Sequence, residues 1–492
     1  YGSNLIGSYI METFITSANR GSVVTGPYEI DNSLKLEADN SESLRSNSIS
    51  TTPTSTKLGT FSWWVKRTEL GANYLLVAGN SARYSRIYFN SSDQLQLYSG
   101  DSSWNSVQPI TNAKFRDTAA WYHIVLRIDS NNGTADDRLR LYVNSVEQTW
   151  ATAPNITQNG AFTLLEAFSS PGYQAWGTNL AYYSASAFFS GYLAEVHYVD
   201  GQSLAPTSFG ETDEDTGIWK PKKYSGAHGN CGYYLDFADS GNLGDNEAST
   251  GSTFDFNENN IAAIDQATDT PTNNFCTINP LADQGFSLYA LTEGGTRGAN
   301  VGANCAMIGT FAVDSGKWYW EGVTTAFSGT NYWQWGVMPI DAKQGNSADS
   351  MGDAGTAWYS GDSAFYTSTS QSGQSVAYNI GFTGYTAGDI WSVSLNCDVS
   401  PYQMTFRINN AVPGTTANNT DRSVGTYTSA RPVFPYIRLA DNASDNTWHN
   451  FGNPFLAALS DGNADENGYG DFKYTPPSGY YALCSKNLAE FG

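Results

Sequence analysis

The sequence predicts an all-β protein that contains two successive β-sandwiches. Among its 492 residues are 48 glycines, and 14% of the chain is aromatic, a composition typical of many short strands joined by tight turns. Short stretches in which large apolar residues alternate with polar ones recur along the chain, as the inner faces of a two-sheet core require. No heptad, collagen or β-helix repeat is present, so a compact knob or short spike is expected rather than a long fibre shaft.

The stretch 188–210, FFSGYLAEVHYVDGQSLAPTSFG, predicts the strand that closes the first sandwich. A turn is expected at Asp200 and Gly201, and Pro206 ends the regular structure. Strict alternation along the strand predicts one face with Tyr192, Ala194, Val196 and Tyr198 and another with Leu193, Glu195, His197 and Val199.

Earlier stretches predict the other strands of this sandwich. FSWWVKR at 61–67 is expected to turn Phe61, Trp63 and Val65 inward. Residues 86–89 and 95–98 predict a hairpin around the loop 90–93. A long strand is expected at 121–129, and the next strand should face the core with Leu139, Leu141 and Val143.

Charge and cysteine content exclude several classes of protein. The net charge of −22 disfavours binding to nucleic acid and to anionic membranes. No run of 18 apolar residues occurs, so no membrane insertion is expected. The cysteines lie far apart without a CxxC pair, which predicts buried free thiols in a protein assembled in a reducing compartment. They are Cys231, Cys276, Cys305, Cys397 and Cys484.

The chain is predicted to have five segments. Residues 1–28 form an arm whose apolar residues recur at three-to-four spacing, and this arm serves attachment or oligomerisation; a ragged terminus is the alternative. The first sandwich spans 29–210, and a connecting segment with one added strand near 232–237 spans 211–285. The second sandwich spans 286–455, and a closing segment spans 456–492.

The strand motifs carry resemblances to known families. FSWWVKR, WYHIVLRID, RLRLYVN and GYLAEV resemble, in order and spacing, the laminin-G-like jelly roll. GKWYWEGV, WQWGV, GDIWSVSL, MTFRIN, RPVFPYI and NFG resemble the SPRY domain. Both resemblances imply the same architecture, so the expected fold is two tandem concanavalin-A-like β-sandwiches, laminin-G-like and then SPRY-like, with an N-terminal arm.

The combination of both units with the DTPTNNFCTINPL linker and a closing GYYALC segment resembles surface-exposed structural proteins of marine tailed bacteriophages. The resemblance implies a virion-surface fibre, spike or knob that is synthesised in the host cytoplasm. It would bind other virion proteins through the arm, form a homo-oligomer with a trimer favoured, and recognise host-surface polysaccharide. A purely architectural decoration or connector protein, which binds only other virion subunits, is the alternative.

The sequence favours a non-enzymatic protein. No HExxH motif or nucleophile elbow occurs, and neither Glu29-Ile-Asp31 nor Glu211-Thr-Asp213 continues into the Glu-x-Asp-x-x-Glu strand of related glycosidases. The histidines are isolated from one another in the sequence, so each is expected to be a strand residue rather than a catalytic base. They are His123, His197, His228 and His449.

Aromatic residues in loops of the second unit are the predicted ligand-binding residues, because sugar faces stack on exposed rings and SPRY domains usually bind through loops. The alternative is that these rings cap the end of the sandwich. The predicted residues lie in segments rich in Gly, Ser and Asp and are Tyr332, Trp333, Trp358, Tyr359 and Tyr366.

Calcium is the one cofactor expected. Laminin-G-like sandwiches often hold calcium at loop ends, and the loop 130–137 offers oxygen ligands suited to a hard cation. An ordinary polar turn is the alternative. The predicted ligands are Asp129, Asn131, Asp136 and Asp137.

Overall fold

The structure is a computed structural model. It describes residues 28–492 except 48, 50, 81–82, 102–106, 167–172, 180–186, 249–253, 282–288, 301–304, 327–333, 341–356, 361–363, 369–373, 380–385, 413–421, 424–430 and 440–445. Between Asn273 and Asn274 the chain divides into two compact units, the N-terminal unit and the C-terminal unit. Both consist of strands and turns, as the sequence predicts.

Eighteen strands are described in the N-terminal unit. They are β1 (Ser33–Leu36), β2 (Ser43–Ser46), β3 (Leu58–Arg67), β4 (Asn73–Gly79), β5 (Arg83–Phe89), β6 (Gln94–Asp101), β7 (Ile110–Lys114), β8 (Trp121–Asp129), β9 (Leu139–Val143), β10 (Val146–Glu147), β11 (Trp150–Thr152), β12 (Tyr173–Trp176), β13 (Gly191–Asp200), β14 (Gly210–Thr212), β15 (Trp219–Pro221), β16 (Tyr233–Leu235), β17 (Phe256–Asn259) and β18 (Gln266–Ala267).

Two sheets form the sandwich of the N-terminal unit. Sheet 1 has the order β10-β9-β8-β3-β13-β1-β18, with β16 also paired to β13, and sheet 2 has the order β11-β7-β6-β5-β4-β12-β2-β17. Their inner faces share one hydrophobic core, in which the Trp63 ring of sheet 1 meets the Trp176 ring of sheet 2 edge-on at 5.6 Å. The inward orientation predicted for Phe61, Trp63 and Val65 is confirmed, since all three belong to this core.

The strand predicted to close the sandwich is β13, which lies inside sheet 1 between β3 and β1. Its strict alternation was wrong. The register against β3 shifts between Ala194 and His197, and Glu195 has a left-handed φ of 48°. This bulge reverses the faces, so Leu193 points into the core together with Val196. An inserted residue has no signature in the apolar pattern, which explains the error.

Residues beyond 210 add more strands to the N-terminal unit than the single one predicted. The predicted strand is β16, but β17 also pairs with β2 and β18 pairs with β1. The last two were missed because a segment of two to four residues is too short to show alternation. The end of this segment returns to the start of the unit, where the Ile30 N–H donates to Thr272 Oγ1 at 3.1 Å and that hydroxyl donates to the Ile30 carbonyl at 2.8 Å.

Buried ion pairs also hold this segment. Lys66 Nζ lies 2.7 Å from Asp269 Oδ2, and both side chains are fully buried. The Trp121 indole N–H donates to the other oxygen of the same carboxylate at 2.9 Å. Lys35 makes a similar contact with Asp265 at 2.7 Å. Each buried charge therefore has a partner, as burial of ions requires.

The described part of the C-terminal unit contains fourteen strands and one helix. They are β19 (Tyr289–Thr292), β20 (Arg297–Asn300), β21 (Cys305–Ile308), β22 (Lys317–Ala326), β23 (Gln334–Pro339), β24 (Ala357–Ser360), β25 (Ala364–Ser368), β26 (Gln374–Asn379), β27 (Ile390–Asn396), β28 (Gln403–Ile408), β29 (Arg422–Ser423), β30 (Val433–Leu439), β31 (Asn446–Asn450), β32 (Tyr481–Ala482) and α1 (Ser485–Phe491).

These strands form a second sandwich. Sheet 3 has the order β19-β20-β31-β22-β27-β28-β29, with β32 paired to β22, and sheet 4 has the order β21-β30-β23-β24-β25-β26. Trp335 of sheet 4 packs against Trp391 and Phe406 of sheet 3, with ring centroids 5.0 and 5.7 Å away. The fold is thus all-β with tandem sandwiches.

A buried carboxylate attaches the closing segment to sheet 3. Glu321 accepts hydrogen bonds from the Tyr319 hydroxyl at 2.6 Å and from the backbone N–H groups of Lys473 and Tyr474 at 2.8 and 2.9 Å. Burial raises the pKa of Glu321 to about 7, although these hydrogen bonds act in the opposite direction. The segment beyond 456 is therefore hydrogen-bonded to a central strand of sheet 3.

Two predictions from composition can be compared with the described residues. Cys231, Cys276, Cys397 and Cys484 are buried and free, as predicted for these four. No helix among the described residues is long and apolar enough to cross a membrane.

We expect His449 to make the C-terminal unit sensitive to acid. Its ring is buried between Trp391 and Phe451, neither ring nitrogen has a hydrogen-bond partner, and burial lowers its pKa from 6.5 to about 3. As the pH falls from 6.5 towards 3, the unfolded chain takes up a proton that the folded unit refuses, so stability is lost over that range.

Urea titrations at pH 7.5 and pH 4.5 measure this effect, with His449→Phe as the matched variant because it keeps a planar ring and cannot titrate. The parent should lose a few kcal/mol more than the variant on acidification. Identical losses in both proteins would contradict the prediction.

Candidate functional site

The outer face of sheet 2 carries a cluster of tyrosine and arginine side chains. In β5, Ile87 and Phe89 point into the core, so Tyr84, Arg86 and Tyr88 between them point outward. Tyr88 is nearly buried at 8% exposure, whereas Tyr84 and Arg86 are half-buried. Strand alternation therefore places one cation between two rings on the same face.

Neighbouring strands complete a ring of four tyrosines around this cation. The guanidinium carbon of Arg86 lies 4.9 Å from the ring centroid of Tyr88, 5.2 Å from that of Tyr98, 5.5 Å from that of Tyr74 and 5.9 Å from that of Tyr84. The rings stack in cross-strand pairs, Tyr74 with Tyr88 and Tyr84 with Tyr98, each at 4.9 Å. These contacts hold the rings and the guanidinium in fixed positions.

A second arginine lies on the same row of the sheet. The strand registers place Arg45 opposite Ala175, Ala175 opposite Val77, and Val77 opposite Arg86. The guanidinium carbon of Arg45 lies 3.7 Å from the ring centroid of Tyr173. We call this surface the arginine–tyrosine face and define it by Arg45, Tyr74, Tyr84, Arg86, Tyr88, Tyr98 and Tyr173.

The two arginines of this face differ from the others of the unit in their partners. Among the residues that the structure describes, no carboxylate is paired with Arg45 or Arg86, whereas Arg67 contacts Asp93 at 3.2 Å. The Nε of Arg86 is buried and has no hydrogen-bond acceptor. The face therefore presents positive charge on an acidic protein.

The phenols of the face are neutral at physiological pH. Burial raises the pKa of Tyr88, and burial together with a hydrogen bond to Tyr98 raises the pKa of Tyr84. Ordered phenol rings offer flat apolar surfaces whose hydroxyl groups also form hydrogen bonds, a combination suited to polar ring-shaped ligands at low entropic cost. The face can bind, but it contains no carboxylate or imidazole with which to catalyse.

The aromatic residues predicted as ligand-binding do not lie in loops where the structure describes them. Trp358 and Tyr359 belong to β24, Tyr366 belongs to β25, and Trp358 lies directly opposite Tyr366. The loop assignment was wrong because the flanking small polar residues outweighed the strong strand propensity of Trp and Tyr. Tyr332 and Trp333 lie outside the described residues.

The predicted calcium ligands lie at the end of β8 and in a short turn. Asp129 Oδ1 accepts a hydrogen bond from the Asn131 backbone N–H at 3.1 Å, Asp136 is exposed, and Asp137 pairs with Arg140. Among the described residues, no group of three or more histidine, cysteine, aspartate or glutamate side chains is placed to hold a metal ion. The calcium site stays a prediction.

Three of the histidines, isolated in the sequence, lie together on the outer face of sheet 1. His197 Nδ1 is 3.3 Å from His228 Nε2, and its Nε2 is 3.5 Å from Glu195 Oε2. The hydroxyls of Tyr28 and Tyr234 donate to the Glu195 carboxylate at 2.6 and 2.7 Å. Although burial opposes it, hydrogen bonding to His197 and the two tyrosines lowers the pKa of Glu195. The bulge in β13 is what brings Glu195 to this network.

The third histidine of this face is not a catalytic base. The Trp219 indole N–H donates to His123 Nδ1 at 2.9 Å, so the ring proton sits on Nε2, which lies 2.9 Å from Ser62 Oγ. Burial lowers the pKa of His123 to about 3. Because Nε2 already carries its proton, Ser62 and His123 do not form a nucleophile and base pair.

Comparison with known proteins places the first sandwich in a broad class. Residues 38–205, about a third of the chain, match the family model described as the concanavalin A-like lectin/glucanases superfamily. No match was found among curated proteins.

Three solved structures illustrate the similarity in fold. A heptameric SAP-like pentraxin from Limulus polyphemus is 16% identical, with a TM-score of 0.27 over 36% of this chain and 80% of that one. Mouse laminin α1 domains LG4-5 are 10% identical, with a TM-score of 0.26 over 84% of each chain. The SPRY domain of human HERC1 is 14% identical, with a TM-score of 0.24 over 33% of this chain and 91% of that one.

The arginine–tyrosine face was missed in the sequence, although a signal for it exists. In RYSRIYF, the two tyrosines flank Arg86 at spacings of two, which is the signature of one strand face. The partner rings Tyr74 and Tyr98 come from two other strands, so their convergence depends on the register of the sheet.

Proposed function

We propose that the chain is a non-enzymatic virion surface protein of a tailed phage, a fibre, spike or knob, that recognises glycan on the host cell through the arginine–tyrosine face. The observation that carries this proposal is the ring of four tyrosines around Arg86. Stacked rings with hydroxyl groups suit the apolar face and the hydroxyl groups of a sugar. The phage setting rests on the sequence resemblance described above.

The description of the family that matches the first sandwich covers both lectins and glucanases, and the face favours binding over hydrolysis. Glycoside cleavage requires two carboxyl groups roughly 5–10 Å apart on either side of the scissile bond. The residues that define the arginine–tyrosine face include no aspartate or glutamate. A sugar bound there would meet rings and guanidinium groups only.

We expect Tyr84→Ala and Tyr98→Ala to weaken binding of the isolated chain to host envelope polysaccharide. Loss of a central stacked ring at a binding hot spot costs about 2 kcal/mol, or roughly thirtyfold in Kd. The isolated chain is the proper sample because multivalent display on a particle would hide part of the loss. Isothermal titration calorimetry measures the change.

Tyr480→Ala, which removes a half-buried ring from the C-terminal unit, is the matched control and should bind as the parent does. Thermal unfolding of each variant separates loss of binding from loss of fold. Equal binding by parent and face variants, or none by the parent, would contradict the proposal and favour an architectural role. Electron microscopy of antibody-labelled particles tests the position on the virion.

A further inference from the structure

We propose that the ligand of the arginine–tyrosine face is an acidic polysaccharide, whose rings lie on the tyrosines while its anionic groups pair with Arg86 and Arg45. This inference rests on the proposed function and deepens it by naming the class of glycan. The shared chemistry is an anionic substituent, either a carboxylate or a sulfate ester.

The first argument is the missing counter-charge of Arg86. A half-buried guanidinium normally has a carboxylate or several acceptors nearby, because burial of an unpaired ion is unfavourable. Within the described residues Arg86 has only the four tyrosines around it, and its Nε lacks an acceptor. The chain carries 47 acidic and 25 basic residues, so a carboxylate partner is not scarce elsewhere on this protein. The unfilled acceptor position suits an anion supplied by a ligand.

The second argument is the spacing of the two cations. Arg45 and Arg86 lie on one row of sheet 2 with Ala175 and Val77 between them, so they are three strand spacings apart. At 4.7–4.9 Å per strand, the separation of their backbones is about 14 Å. This matches a polymer that carries repeated charges, and a single small anion would engage only one of the two cations.

The third argument concerns selectivity in an acidic protein. The net charge of −22 repels polyanions at long range. In physiological salt, that repulsion is screened beyond about 8 Å, so local contacts at the face decide binding. A polyanion would thus be held at the two arginines and be repelled by the rest of the surface, which confines it to one site.

The test compares three named polymers with the full chain, which are alginate as the carboxylated probe, dextran sulfate as the sulfated probe and dextran as the neutral probe. We expect at least one acidic polymer to bind about tenfold or more tightly than dextran, since hydrogen bonds to charged groups are the stronger ones. Binding to alginate alone identifies a carboxylate ligand, and binding to dextran sulfate alone identifies a sulfated one.

Variants connect the preference to the two arginines. Arg86→Gln and Arg45→Gln should each weaken binding of the preferred acidic polymer on the order of tenfold, and Arg86→Lys should retain part of it. Arg45 is exposed, so its variant tests the inference even if Arg86→Gln unfolds. Arg140→Gln is the matched control, because Arg140 lies on β9 of the other sheet and already pairs with Asp137 and Glu147.

The outcomes separate this inference from the function beneath it. Equal affinity for dextran and both acidic polymers, unchanged in the arginine variants but lost in Tyr84→Ala, overturns the acidic preference and leaves glycan recognition standing. Failure of the parent to bind any of the three polymers overturns both.

Discussion

Replacement of Trp63 by alanine is expected to lower the free energy of unfolding of the N-terminal unit by about 3–5 kcal/mol. The side chain is fully buried at the centre of the sandwich, where its ring meets Trp176 of the opposite sheet. Its removal would leave a cavity that neither sheet can fill, because both neighbouring strands are fixed by their own ladders. Such a loss is a large fraction of the stability of an ordinary domain.

Urea denaturation followed by circular dichroism measures this loss, and Trp63→Phe is the matched variant. The indole N–H of Trp63 is buried without a hydrogen-bond partner, so phenylalanine keeps most of the volume and removes an unsatisfied donor. Phenylalanine should therefore cost much less than alanine. If both variants unfold at the parent's midpoint, Trp63 does not occupy the core.

Asp269→Ala is expected to destabilise the same unit by about 3–5 kcal/mol through a different cause. The substitution leaves the Lys66 ammonium fully buried without the carboxylate that lies 2.7 Å away in the parent. It also removes the acceptor of the Trp121 indole N–H. The effect would show that residues near 269 are integral to the first sandwich and not a dispensable linker.

A double variant distinguishes loss of the ion pair from general disruption. Lys66→Met combined with Asp269→Leu removes both charges and keeps apolar volume, so it should recover most of the stability that Asp269→Ala loses. The free energies come from the same urea titrations. A double variant as unstable as the single one would mean that packing around Asp269, and not the unpaired charge, sets the cost.

Much of the fold was predictable because long strands with one buried face have a period of two that survives in the sequence. Trp63, Leu141 and Val143 were placed correctly in this way. The bulge at Glu195 and the short strands after residue 232 were not predictable, because one inserted residue or a three-residue strand leaves too little pattern to detect. Long-range pairing with strands about two hundred residues earlier decides their position.

The candidate site was less predictable than the fold. Aromatic residues in polar segments were taken as the binding residues, but Trp358 and Tyr366 lie in paired strands. The residues that do form a charged aromatic surface come from β2, β4, β5, β6 and β12, and single strands show only one or two of them. Arg86 gains its meaning only when the register brings Tyr74 and Tyr98 to its sides.

The hydrogen bonds between Ile30 and Thr272 have a mechanical consequence. They place the first and last residues of the N-terminal unit side by side, and β1 and β18 continue the contact at Ser33 and Ala267. A pulling force applied through the chain on both sides of this unit would act on these few bonds and peel them apart one at a time. The sandwich beyond β1 would carry no load at first, and the arginine–tyrosine face would keep its geometry under tension.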